Sequence, residues 1–126
     1  RMSHFSKIKT KIKNKDNLIK ALLMLGYQVD LNQQLDNPEG HNHPKLLADI
    51  SIGDSMGFVW TGGTFEFVTD VQMWDKSIPI KRFLEKITQH YALVTLSNKS
   101  KDEGFEIVSQ TTNMNNAIEL EVEKWV

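Results

Sequence analysis

The sequence predicts an α+β fold, in which a mainly antiparallel sheet carries two helices on one face of a single domain. Two observations support this prediction: a glycine-centred hairpin pattern in the middle of the chain, and two stretches whose apolar residues recur at helical spacing. Helices segregated to one face of an antiparallel sheet form a two-layer domain. Because 126 residues are enough for one hydrophobic core, we expect residues 2–126 to form one domain.

The composition excludes several classes of protein. The chain has no cysteine, which excludes disulfide frameworks, thiol catalysis and cysteine-based zinc sites. Its formal net charge of −1 gives no overall attraction to nucleic acid. No apolar run approaches the ~20 residues of a membrane helix, and no hydrophobic signal segment precedes the first predicted strand. We therefore expect a soluble protein that has no transmembrane segment and is not secreted.

The predicted hairpin lies at residues 57–74, GFVWTGGTFEFVTDVQMW. If Gly62-Gly63 forms a two-residue turn with positive φ at both glycines, the pairing on either side is determined. Trp60 then faces Phe65, and Phe58 faces Phe67. Side chains alternate across a strand, so the four rings share one face of the sheet. We expect this aromatic face to be the centre of the core.

The segments before the hairpin alternate between strand and helix patterns. Residues 4–13 read as a half-buried strand with lysines on its outer face, and residues 14–26 as a helix that begins at an asparagine cap and ends at a glycine. We expect a short strand at 27–31, a polar loop at 32–44, and a strand at 46–52 that leads into an antiparallel meander.

The segments after the hairpin predict a long helix and a final strand pair. Pro79 suits the first turn of a helix that continues towards Gly104. Residues 105–109 and 118–126 read as strands, and glutamates alternate with apolar residues in the second. Because the first strand carries lysines, we hypothesise that the first and last strands are antiparallel neighbours joined by ion pairs.

Histidines provide the only pattern that suggests a metal site. His41 and His43 have a spacing that lets two imidazoles reach one metal from a loop, with His4 or His90 as a third ligand. A solvated polar loop is the simpler interpretation, because no nearby Cys, Asp or Glu completes the site. We therefore predict no metal and no other cofactor.

A second candidate site follows the hairpin. Asp70, Gln72 and Trp74 share one parity and would lie on one exposed strand face, as a small polar site or a patch that docks a partner. In the alternative interpretation, Asp70 satisfies a turn and Trp74 closes the edge of the core. His90 lies at the margin of the long helix's apolar stripe, where a bond to a backbone carbonyl is favoured over a role as general base.

The lysine row of the first strand suggests contact with phosphates or an anionic membrane surface, as one interpretation. It spans Lys7, Lys9, Lys11, Lys13 and Lys15. The only neighbouring aromatic residue does not form a stacking platform for bases. A solvated strand face opposite glutamates is favoured, so we predict that nucleic acid is not a partner.

Several segments together resemble a known family. They are MSHFSKIKT at 2–10, GFVW at 57–60, D-x-Q-x-W at 70–74, FLEKITQHYA at 83–92, and the closing acidic and apolar strand with Trp125. The chain resembles the hypothetical chloroplast reading frame thirty-five family of plastids and cyanobacteria. The resemblance implies a plastid stroma location, or the cytoplasm if cyanobacterial, and no defined activity. Met56, Val59 and the His41-x-His43 pair depart from the family pattern, which weakens arguments from hairpin charge and from metal binding.

Two functional hypotheses remain. The first is a non-catalytic accessory protein that docks onto a protein complex, since Trp74 and Trp125 suggest contact surface and no catalytic motif is present. The second is an enzyme or small-ligand binder using Asp70, Gln72, His4 and His90. A concave pocket that gathers those four side chains would favour the second, and an exposed tryptophan patch the first. The sequence does not specify an oligomeric state.

Overall fold

The computed structural model describes residues 5–35, 46–71, 74 and 76–103, and the backbone alone of 105–112 and 118–124. Within these ranges the chain forms seven strands and two helices. Their bounds are Ser6–Lys9 (β1), Lys15–Met24 (α1), Val29–Leu35 (β2), Leu46–Ile52 (β3), Met56–Trp60 (β4), Phe65–Thr69 (β5), Ile80–Asp102 (α2), Phe105–Thr112 (β6) and Ile118–Lys124 (β7).

The described strands form two antiparallel sheets, and the larger one confirms the predicted α+β class. Five strands pair in the order β1-β5-β4-β3-β2, and β6 pairs with β7 in a separate two-stranded sheet. One buried cluster joins the sheet to both helices, so α1 and α2 pack on the same face of the five-stranded sheet. The members of this cluster are Ile12, Leu18, Leu22, Ile50, Ile52, Met56, Phe58, Phe65, Phe67, Phe83 and Ile87.

The central hairpin has the predicted register and a different turn. Trp60 pairs with Phe65 and Phe58 with Phe67, and the ring centroids of these two pairs lie 5.0 and 5.2 Å apart. The expectation of positive φ at both glycines is wrong, because only Gly62 has a left-handed φ, of +93°. One left-handed glycine is therefore enough to reverse the chain between the paired residues Trp60 and Phe65.

Both helices begin and end where the sequence indicates. The side-chain oxygen of Asn14 accepts the backbone N–H of Asn17 at 2.9 Å and caps α1. The helix ends before Gly26, whose φ of +90° lets the next N–H, that of Tyr27, reach the carbonyl of Leu22 at 3.0 Å. Pro79 immediately precedes α2, which runs to Asp102 and buries the predicted apolar stripe.

Strand β2 extends further than predicted. Residues 32–35 were expected to begin a polar loop, but they continue the strand and pair with β3 as far as Leu35 opposite Leu46. Most side chains of this edge strand are exposed, so the ladder rather than an apolar face determines its length. The remainder of the predicted loop lies outside the described residues.

The hypothesis that the first and last strands are neighbours is wrong. Strand β1 pairs with β5, which places Lys9 opposite Glu66. Strand β7 pairs with β6 in the other sheet. Within the described chain, the lysine-rich strand and the glutamate-rich strand therefore belong to different sheets and do not pair with each other.

Candidate functional site

The predicted site at Asp70 and Trp74 is a small cleft at the edge of the core. Strand β5 ends at Thr69, so the expectation that Asp70 and Trp74 continue an exposed strand face is wrong. Asp70 is only 3% exposed. The Trp74 indole N–H donates to the carbonyl of Ile78 at 2.7 Å, and its ring lies edge-on to Phe83 at 5.2 Å. Trp74 therefore closes the edge of the core, as in the alternative interpretation.

The cleft gathers polar groups but has little room. It has a volume of about 130 Å³, below the 300–1,000 Å³ typical of small-molecule sites. Asp54, Asp70 and Lys76 bring charge to it, and the Lys76 Nζ also lies 5.7 Å from the ring centroid of Phe83. Gln72 lies outside the described residues. The cleft as described is too small for a substrate of ordinary size.

The other predicted site residues do not join this cleft within the described part of the chain. The Nδ1 atom of His90 lies 3.1 Å from the carbonyl of Lys86, one turn earlier on α2, which confirms the predicted backbone contact. His90 does not line the cleft that holds Asp70. His4, His41 and His43 lie outside the described residues. Among the described residues, no group of three potential metal ligands is close enough to hold an ion.

The exposed tryptophan of the hairpin is Trp60. Its side chain is 43% exposed, whereas its partner Phe65 is 3% exposed and belongs to the core. The two rings meet edge-on, and the Trp60 backbone N–H donates to a carboxylate oxygen of Asp49 at 2.7 Å. Trp60 is thus held against a buried ring on one side while the rest of its indole faces solvent.

Two lysines lie beside this indole. Lys13 and Lys15 line a depression of about 320 Å³ together with Asp49, Trp60 and Phe65, and we call these five residues the Trp60 surface. Two cations and one carboxylate leave the Trp60 surface with a formal charge of +1. A partner surface that complements it would present an apolar pocket with an acidic rim.

Helix α2 fixes the backbone that carries these lysines. The Tyr91 hydroxyl accepts the backbone N–H groups of Lys13 and Asn14 at 3.1 and 2.9 Å. Asn17, in the first turn of α1, also donates from its side-chain amide to the Thr95 hydroxyl at 3.2 Å. These hydrogen bonds attach the start of α1, and with it the backbone of Lys13 in the Trp60 surface, to α2.

A second open feature runs between strand β1 and helix α2. Two adjoining depressions, of about 630 and 370 Å³, both include Thr88 and together form what we call the β1–α2 groove. Ile8, Val71, Ile80, Leu84 and Leu96 make much of its lining apolar, and Val71 and Leu96 are 45% and 42% exposed.

Sequence reasoning missed the Trp60 surface and the groove for different reasons. Trp60 lies on the same face of the hairpin as three buried phenylalanines, so the alternation pattern predicts burial. The one indication of exposure was its position at the end of β4, beside the turn. The groove exists because β1 lies at the edge of the sheet, and no local pattern predicted that.

No helix in the described part of the chain is long and apolar enough to cross a membrane.

The comparisons with known proteins give the family. The family model described as a protein of unknown function (DUF1257) matches residues 21–121. A protein of Guillardia theta with the name Uncharacterized protein ycf35 is 34% identical, and the alignment covers 98% of each chain. The chain belongs to the Ycf35 family.

Two further Ycf35 proteins match over the same span. Those of Pyropia yezoensis and Cyanophora paradoxa are 32% and 27% identical, again over 98% of each chain. These Ycf35 homologues are plastid-encoded proteins of algae. No solved structure matches the chain significantly. The family model begins at residue 21, within α1, and its match includes Asp49, Trp60 and Phe65 of the Trp60 surface but neither lysine.

Proposed function

We propose that this Ycf35 protein is a non-catalytic accessory protein of the plastid stroma that docks onto a protein complex through the Trp60 surface. The observation that supports the proposal is the half-exposed indole of Trp60, fixed against buried Phe65 and beside two lysines. Tryptophan is among the residues most enriched at the energetic centres of protein interfaces. A ring that is already immobilised loses little further conformational entropy when a partner covers it.

The competing function, an enzyme or small-ligand binder, has less support from the described residues. It required Asp70 and His90 to approach one another in a pocket that also received Gln72 and His4. Asp70 instead lines a cleft of about 130 Å³, and His90 lies outside that lining. A plastid location is supported by the homologues and by the family resemblance.

The test is affinity capture from a stromal extract of an alga that encodes the protein. The wild-type chain is compared with Trp60→Ala and with the control Leu23→Ala, whose side chain is 56% exposed at the end of α1. We expect wild type and control to retain the same protein. Trp60→Ala should weaken its binding by about 30-fold or more, which corresponds to the 2 kcal/mol or more of an interface hot spot.

Equal capture by all three chains would contradict the proposal. Circular dichroism shows whether Trp60→Ala keeps its fold, and we expect it to, because nearly half of the side chain is already in water. A small molecule that binds near Asp70 with a matching loss in Asp70→Asn would favour the competing function instead.

A further inference from the structure

Strand β1 is an open edge of the five-stranded sheet in the described chain. It pairs with β5 on one side, and it is the terminal strand of the sheet order β1-β5-β4-β3-β2. Backbone N–H and C=O groups on such an edge can form a ladder with a strand from another chain. Proteins usually protect edges of this kind, so the groups that surround β1 indicate what kind of strand it accepts.

The two faces next to this edge differ sharply. On the helix face, the β1–α2 groove presents apolar side chains from Ile8, Ile80 and Leu84 beside β1. On the opposite face, Lys7 and Lys9 are exposed. Because strand residues alternate between faces, a strand added to β1 complements both if it alternates apolar and acidic residues.

Strand β7 has this sequence. Ile118, Leu120 and Val122 alternate with Glu119, Glu121 and Glu123. In the described chain β7 pairs only with β6, so its other edge is also open. β1 of the same chain pairs with β5 instead. A second copy of the chain is therefore a source of the strand that β1 complements.

We propose that two copies of this chain form a dimer by reciprocal strand addition, in which β7 of each copy pairs with β1 of the other. In this arrangement the apolar positions of β7 fall on the helix face of the sheet, next to the β1–α2 groove, and its glutamate positions fall on the face that carries Lys7 and Lys9. Each copy gives one strand and receives one, so the two identical contacts close the assembly with twofold symmetry.

Direct pairing of β1 with β1 of the other copy is disfavoured by charge. It would bring the exposed Lys7 and Lys9 of both copies onto the same face of one continuous sheet, where like charges across strands are destabilising. The dimer goes beyond the proposed docking function and uses different residues, since neither lysine belongs to the Trp60 surface.

The test exchanges the charges of the two strands. One variant carries Lys7→Glu and Lys9→Glu, and the other carries Glu119→Lys and Glu121→Lys. Sedimentation equilibrium of the wild type should give twice the mass of one chain. Each variant alone should dimerise at least about 30-fold more weakly, because every cross-strand attraction becomes a repulsion. An equimolar mixture should recover the dimer, since both of its contacts are again complementary.

A control variant separates this pairing from net charge. Lys20→Glu with Lys86→Glu makes the same change in charge at exposed positions of α1 and α2, and it should dimerise like the wild type. A wild type that stays monomeric at 100 µM or so, or charge variants that fail to recover the dimer when mixed, would overturn the proposal.

A covalent test covers the case in which a charge variant does not fold. The chain has no cysteine, so Lys7→Cys with Glu121→Cys introduces the only two thiols. Mild oxidation should give a disulfide-linked dimer on a non-reducing gel. A disulfide within one chain, or none at all, would contradict the exchange of β7 between copies.

Discussion

Phe83 is the side chain on which the two layers of the domain meet. It lies on the first turns of α2, is 1% exposed, and its ring packs against three other aromatic rings. Tyr27, Phe67 and Trp74 lie with their ring centroids 5.5, 5.8 and 5.2 Å from that of Phe83. Truncation to alanine therefore removes a ring that connects α2 to the sheet, to the segment after α1 and to the Trp74 segment at once.

The expected cost is large. Replacing a buried phenylalanine by alanine typically costs about 3–5 kcal/mol in total, and the loss of aromatic pairs worth roughly 0.5–1.5 kcal/mol each places Phe83 at the upper end of that range. Because the substitution removes Phe83 from all three aromatic pairs, we expect it to lower the free energy of unfolding by about 4–5 kcal/mol. Domains of this size are commonly stable by only about 5–15 kcal/mol, so the variant should be close to unfolding at growth temperature.

Urea denaturation followed by circular dichroism measures this cost. The control is Leu23→Ala on α1, where the side chain is 56% exposed and we expect a loss below about 1 kcal/mol. In thermal melts, Phe83→Ala should lower the midpoint by about 15–19 °C. If Phe83→Ala lost no more stability than Leu23→Ala, the account of the core as one cluster joining both layers would be wrong.

Three further predictions concern stability. Gly57→Ala should lower the free energy of unfolding by about 1–3 kcal/mol, because the added Cβ collides with the backbone carbonyl of Ile50. Urea titration measures this loss, and an unchanged midpoint would refute the close approach of the two strands at Gly57. Asn14→Ala should cost about 1 kcal/mol, since the cap to the Asn17 N–H is lost, and a melt indistinguishable from wild type would count against that cap. Burial raises the pKa of Tyr27 above its ordinary value of 10.0, so the folded state favours the neutral phenol; this contribution to stability is present below pH 10 and is lost as the pH rises through the folded pKa. Tyr27→Phe should therefore lose less stability than the wild type when urea titrations are repeated above pH 10, and identical losses in the two chains would contradict the effect of burial.

Local chemistry made the middle of the fold predictable. The hairpin register follows from Gly62 and from alternation around it, since a slip of one residue would expose the phenylalanines. The long helix follows from its apolar stripe, and α1 from its asparagine cap and terminal glycine. Each of these features depends on residues close together in sequence, so the amino-acid sequence alone is sufficient to predict them.

Features that depend on distant partners were not predictable in the same way. Residues 32–35 are a strand because β3 supplies a ladder, although their polar side chains show no alternation of burial. The partner of β1 is β5, and nothing in either strand's own sequence distinguished it from the glutamate-rich β7. Likewise, Trp60 was predicted on the aromatic core face but is 43% exposed, whereas Trp74 packs on Phe83 at the core edge, as one of its two interpretations expected.

Site-specific photo-crosslinking at position 60 tests the docking proposal most directly. The photoreactive residue p-benzoylphenylalanine replaces Trp60 in one chain and the exposed Leu23 in another, and both are irradiated in stromal extract. We predict one crosslinked partner from position 60 that is missing from position 23 and is displaced by excess unlabelled wild-type chain. No crosslink from position 60, or the same products from both positions, would contradict docking through the Trp60 surface.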